Sequence, residues 1–180
     1  TLTLSGQSNY TGATSITGGT VNVTSSSGLG SGSAVSLTDT AGATLKVSNP
    51  AGTPSENNPL TLTVGSLSGG GSTGGNLVLG DYTTLKTGGD SDTTYAGAIS
   101  GAGHLEKTGA GTFTLTGNST NSGGITVSDG TLALTDASSA TSIGSGNLTL
   151  AAAGNLSLNR TTALTLAQTI AGDGGIQKLG

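Results

Sequence analysis

Apolar and polar residues alternate along this chain in short runs, and glycine interrupts nearly every run. Thr1-Leu2-Thr3-Leu4 sets the pattern. Thr20-Val21-Asn22-Val23, Ala34-Val35-Ser36-Leu37, Thr44-Leu45-Lys46-Val47 and Leu60-Thr61-Leu62-Thr63 repeat it. It returns in Thr112-Phe113-Thr114-Leu115, Thr131-Leu132-Ala133-Leu134, Asn147-Leu148-Thr149-Leu150 and Ala163-Leu164-Thr165-Leu166. A two-residue period puts one set of side chains on each face of a strand. Leu, Val and Ile then face a core, and Thr and Ser face solvent. Gly, Asn, Asp and Ser between the runs supply turns. No stretch has helical spacing, so the pattern predicts an all-β chain of very short strands.

The composition limits how those strands can pack. Of 180 residues 34 are Gly, far above the average usage of about 7%. Aromatic residues make up 2%, and Trp, Met and Cys are absent. A broad core of large side chains is therefore out of reach, and so are disulfides and thiolate metal sites. Collagen is excluded because Gly does not recur at every third position. Five basic residues and a pI near 4.5 make nucleic acid a poor partner. No apolar run approaches the ~18 residues of a membrane-spanning helix, so no membrane contact is expected of this segment. The chain starts without Met and is expected to be an internal piece of a longer one.

Two internal matches organise the chain. Residues 1–23 resemble residues 112–134, aligning Leu4 with Leu115, Gly6 with Gly117, Gly12 with Gly123, Ile16 with Val127 and Thr20 with Thr131. Residues 99–109 (ISGAGHLEKTG) resemble residues 170–180 (IAGDGGIQKLG). The two offsets differ, and with ~20 residues per coil the difference reads as two extra coils between Leu60 and Tyr95. The end of the chain is in phase with its beginning. Small repeating β units bury their apolar faces only by stacking. The arrangement that fits is a right-handed parallel β-helix of about 7–9 coils, a rod of roughly 40 Å at ~4.8 Å per coil. It spans residues 1–180 as one segment. The rival is an antiparallel sandwich of about nine strands.

Three stretches carry a family resemblance. They are Val64-Gly65-Ser66-Leu67-Ser68-Gly69, Tyr95-Ala96-Gly97-Ala98-Ile99-Ser100-Gly101-Ala102-Gly103, and Leu105-Glu106-Lys107-Thr108-Gly109-Ala110-Gly111-Thr112-Phe113-Thr114-Leu115-Thr116-Gly117. Tyr10-Thr11-Gly12-Ala13-Thr14-Ser15-Ile16 with Gly19-Thr20-Val21 continues the order. Together they resemble the autotransporter-associated β-strand repeat. Asn121 and Ser122 depart from it where Tyr10 and Thr11 stand in the first copy, and Leu179 stands in place of Thr108. The resemblance implies a passenger segment of a bacterial type V autotransporter, exported through the outer membrane to the cell surface or secreted. It implies a structural stalk that supports secretion and display. The alternative is an adhesin or self-association module acting through polar faces and loops, with host or bacterial surface ligands or a second copy as partner. The repeat brings no catalytic residue and no cofactor.

Candidate chemistry is sparse. His104 is the single histidine, and its repeat counterpart is Gly175, so the array does not require an imidazole; it is expected to be exposed and idle. Asp90 and Asp92 form the densest acidic cluster and are a weak Ca²⁺ candidate, since calcium takes six to eight oxygens. The pattern occurs once, which favours a solvated turn and no metal. Tyr10, Tyr82, Tyr95 and Phe113 offer little to stack a sugar on, so no enzyme is expected. Residues 48–59 (SNPAGTPSENNP) hold all three prolines and read as a protruding loop. The Thr1/Thr3, Thr61/Thr63 and Thr112/Thr114 pairs recur too irregularly for an ordered-water ladder. The Asn-x-Ser/Thr triplets at Asn118 and Asn159 are a by-product of the Ser/Thr content.

Overall fold

A computed structural model describes residues 1–50, 56–135 and 142–180. Among these residues there are strands and no helix, and every strand pair is parallel. Up to Thr112–Leu115 successive strands do not pair with one another; beyond it the two long strands, Ile125–Thr135 and Leu148–Asn159, each span two faces and so also pair with the strand before them. Each pairs with its counterpart one coil away, as in a β-solenoid of about eight turns with three faces. The antiparallel sandwich is thereby excluded.

The first face stacks Leu2–Leu4, Thr20–Val23, Thr44–Val47, Asn76–Leu79 and Ile99–Gly101. It then thins to single bridges from Ile99 to Ser119 and from Ser119 to Ile143. The second face begins at Leu60–Val64 and continues through Thr83–Thr87, His104–Lys107, 125–127, 148–150 and Ile170–Gly172. The third runs from Thr14–Ile16 through Ala34–Leu37, Ser66–Gly69, Thr93–Tyr95 and Thr112–Leu115 to 131–134, 155–159 and Gly175–Leu179.

Alternation places the core as expected. On the second face Leu62, Leu85, Leu105, Ile125, Leu148 and Ile170 lie over one another. The first five are buried, and each such burial contributes about 1.5–3 kcal/mol. Val23, Leu45, Leu62, Leu115, Val127, Leu134 and Leu150 all face in and are buried. Leu4 faces in but is only half-buried, because the described chain has no coil beneath it.

Tyr95, the largest fully buried side chain, fits at a corner built from glycine. Tyr95 lies in an inward row between Gly69 and Leu115. A Cβ at Gly97 would crowd the phenol oxygen, and the phenol donates to the Gly75 carbonyl at 2.6 Å. Burial pushes the Tyr95 pKa well above its ordinary value. Above pH ~10 the unfolded phenol loses its proton while the folded one keeps it, so stability falls with rising pH, by about 1.4 kcal/mol per unit. Denaturant midpoints between pH 9 and 12 should show this slope. Tyr95→Phe should flatten it, at the cost of one hydrogen bond, about 1 kcal/mol. Equal slopes in both proteins would contradict the assignment.

Corners bring backbones into contact. Gly88 has φ +136°, and a Cβ there would overlap the Thr108 carbonyl of the next coil. That geometry, repeated at other corners, accounts for much of the glycine.

Four expectations are corrected. Residues 163–166 form no strand: Leu164 and Leu166 still turn toward the core, but the first face has thinned to single bridges and offers no ladder to join. The strands are not all short, since Ile125–Thr135 (11 residues) and Leu148–Asn159 (12 residues) pass from the second face to the third, with a register shift between Val127 and Asp129. The internal matches do not step by whole coils. Leu2–Leu4 lies on the first face while its match, 113–115, lies on the third; Ile99–Gly101 lies on the first face and Ile170–Gly172 on the second. The offset is thus not two extra coils. The fourth is His104, which is half-buried and not exposed.

The loop expected over 48–59 falls partly on 51–55, outside the described residues. Its flanks leave the strand at Val47 and return at Leu60, and the registers there (Thr44 under Asn76, Ala34 under Ser66) are longer than at other coils.

Candidate functional site

The outward positions form rows, as the inward ones do. The third face carries Ser15, Ser36 and Ser68 in register, then Thr94 and Thr114. The three Thr-x-Thr pairs stand on three different faces, so they form no common ladder. The second face holds the charge: Lys86 pairs with Glu106 at 2.8 Å, and Glu106 also accepts from the Ser128 hydroxyl at 2.8 Å. Burial alone would raise the Glu106 pKa, but Lys86 and Ser128 hold it below the usual range.

His104 is half-buried instead of exposed, and both ring nitrogens are engaged. Nδ1 meets the Gly123 carbonyl at 2.9 Å, and Nε2 meets the Thr126 hydroxyl at 2.9 Å. A carbonyl only accepts, so Nδ1 carries a proton. Both partners lie in the following coil, and the ring pins one coil to the next. The array tolerates Gly at position 175 because that strand lies on a different face, with Asn155 beneath it.

Asp90 and Asp92 are exposed at the corner that follows Thr83–Thr87. Asp92 Oδ1 accepts from the Thr112 amide at 2.7 Å, again one coil further on. Asp39 does the same for the amides of Thr73 and Gly74 at 2.7 and 2.9 Å. His104 opens its strand, whereas Asp92 lies beyond the far end of the strand below. The two stand at opposite ends of the second face and do not converge. Among the described residues no group of three or more metal-ligating side chains comes together.

Lys107 has a role that composition does not disclose. It is the second residue after Leu105 in an alternating strand, so it must face in, and it lies between Thr87 and Val127. It is buried, and its ammonium donates to the carbonyls of Thr108 (2.8 Å), Gly109 (2.7 Å) and Asp129 (3.2 Å). Burial pushes its pKa down, while Asp129 and Asp92 pull it back up. Lys178, the repeat counterpart, binds the carbonyls of Arg160 and its own corner. Parity with Leu105 was the available signal for Lys107.

The passenger-associated-transport-repeat family matches residues 1–23 and 105–134, the two registers of the internal repeat. The chain carries an autotransporter passenger repeat. The adhesin BmaC autotransporter of Brucella suis biovar 1 (strain 1330) is 40% identical over 164 residues, covering 88% of this chain. The chain spans 4% of the length of that curated relative. No solved structure matches it. A passenger segment of this kind is exported through the outer membrane and is displayed on the cell surface or secreted. In the passenger segment the departure at Asn121 has a structural counterpart: Asn121 is buried, whereas Tyr10 is exposed and bonds Thr14 through its hydroxyl at 2.6 Å.

Proposed function

We propose that the segment is a stalk unit of the passenger, holding more distal parts away from the membrane and supporting their secretion and display. The observation that carries this reading is the continuity between coils. Ladders, an inward aliphatic row and side-chain pins such as His104, Asp39 and Asp92 join each coil to the next. A chain assembled in this way folds from one end as it emerges, and each finished coil opposes back-sliding. The function is non-enzymatic, with residues 48–59 as a projecting insertion and no bound metal at Asp90 and Asp92. In the full-length passenger, Leu115→Asp should lower the surface-displayed amount and leave the displayed fraction sensitive to protease near this coil. Wild-type display and wild-type protease resistance in that variant would remove the stalk reading.

A second reading has its own support. The relative is named an adhesin, and the third face offers an uncharged row of small hydroxyls. Beads coated with the purified segment should bind host cells if the segment itself adheres, and bare attachment equal to that of uncoated beads would reject it.

A further inference from the structure

Tyr82 is where this scaffold breaks its own rule. Among the described residues, positive φ is otherwise confined to glycines; Tyr82, at φ 54°, is the exception. An L side chain in the left-handed region carries a steric penalty that glycine avoids. Burial does not offset it, since Tyr82 is 45% exposed. The conformation is held from the coil below. Asn49 Nδ2 donates to the carbonyls of Asp81 (2.9 Å) and Tyr82 (3.4 Å), and the Leu60 amide donates to the Tyr82 carbonyl at 3.0 Å. An outlier held by its surroundings and presenting an exposed ring points to function.

The ring lines a cleft of about 390 Å³ at the corner between the first and second faces. Pro59, Asp81, Thr84 and His104 line it as well. The volume falls in the roughly 300–1,000 Å³ range of small-ligand sites. The chemistry is specific. Tyr82 offers a flat apolar face with a polar tip. Asp81 is an exposed carboxylate acceptor, and Thr84 adds a hydroxyl. No Lys or Arg lines the cleft, and the chain has a net charge of −4, which disfavours anions. His104 has both ring nitrogens engaged with the next coil, so it serves as a fixed wall and not as an acid or base.

We propose that this cleft binds a neutral saccharide, with a sugar ring against Tyr82 and its hydroxyls on Asp81 and Thr84. The proposal refines the adhesin reading and rests on it for its biological meaning, while binding by the purified segment stands independently. Lactose, N-acetyllactosamine and mannobiose are the probes, followed by saturation-transfer NMR, with sialyllactose as the charged comparison. At least one neutral disaccharide should bind, and more tightly than sialyllactose. Tyr82→Phe should bind within a few-fold of wild type, and Tyr82→Gly should bind about tenfold more weakly or not at all. Tyr82→Gly should also melt at or above the wild-type temperature, because glycine relieves the backbone. No binding of any neutral disaccharide, undiminished binding by Tyr82→Gly, tighter binding of sialyllactose, or a lower melting temperature in Tyr82→Gly would each overturn the proposal. Binding of a proline-rich peptide that competes with the disaccharides and exceeds them in affinity would also overturn it. Beads separate the two readings. If wild-type beads bind cells and Tyr82→Gly beads bind equally well, the cleft fails and adhesion stands. If wild-type beads do not bind cells, adhesion fails and the NMR result decides the cleft.

Discussion

Leu115→Asp should cost about 3–5 kcal/mol, the penalty of a buried charge without a partner. Leu115 is buried between Tyr95 and Leu134 in an inward row, where the one donor side chain in register, the Tyr95 phenol, is already committed to the Gly75 carbonyl. Thr114→Asp, one residue away and facing out, should cost less than about 0.5 kcal/mol. Because coils contact mainly their neighbours, the damage should be local. Hydrogen exchange should lose protection around Thr93–Tyr95, Thr112–Leu115 and 131–134 first, while the ladders near Thr44–Val47 persist. Equal damage from both substitutions would mean that the faces have been assigned wrongly.

Lys107→Met should be the most damaging change at a charged position. Methionine keeps the apolar stem in the row and removes the ammonium that three carbonyls share. Losing the charge-assisted bonds at a buried corner should cost about 2–4 kcal/mol. Lys178→Met removes the equivalent ammonium at an exposed strand and should cost under about 1 kcal/mol. Urea midpoints of the two variants give the comparison. A loss for Lys107→Met no larger than that for Lys178→Met would show that the carbonyl cluster does not need its cation.

Most of the scaffold was legible in sequence because period-two patterning and β-solenoid packing ask for the same thing. The runs at 34–37, 44–47 and 112–115 form strands at those positions. What escaped depended on neighbours in the stack. Alternation at 163–166 is intact, yet a strand needs a partner ladder, and alternation within one segment cannot reveal whether the coil below supplies one. Gly175 in place of His104 suggested an unimportant imidazole, but the two positions face different neighbours. Tyr82 looked like one of four scattered aromatics, because nothing in the residue order discloses its backbone angle. Lys107 could have been placed by counting from Leu105, since parity alone turns it inward.

Matching segments on different faces have a genetic consequence. A tandem duplication bounded by such segments would add a fraction of a turn to the rod as well as length. The inward rows would accept it, because each face is satisfied by the same alternation. Everything downstream, insertions and clefts included, would then point in a new azimuthal direction. Unequal crossing-over between repeats could thus re-aim the surface of a passenger while leaving its core residues untouched.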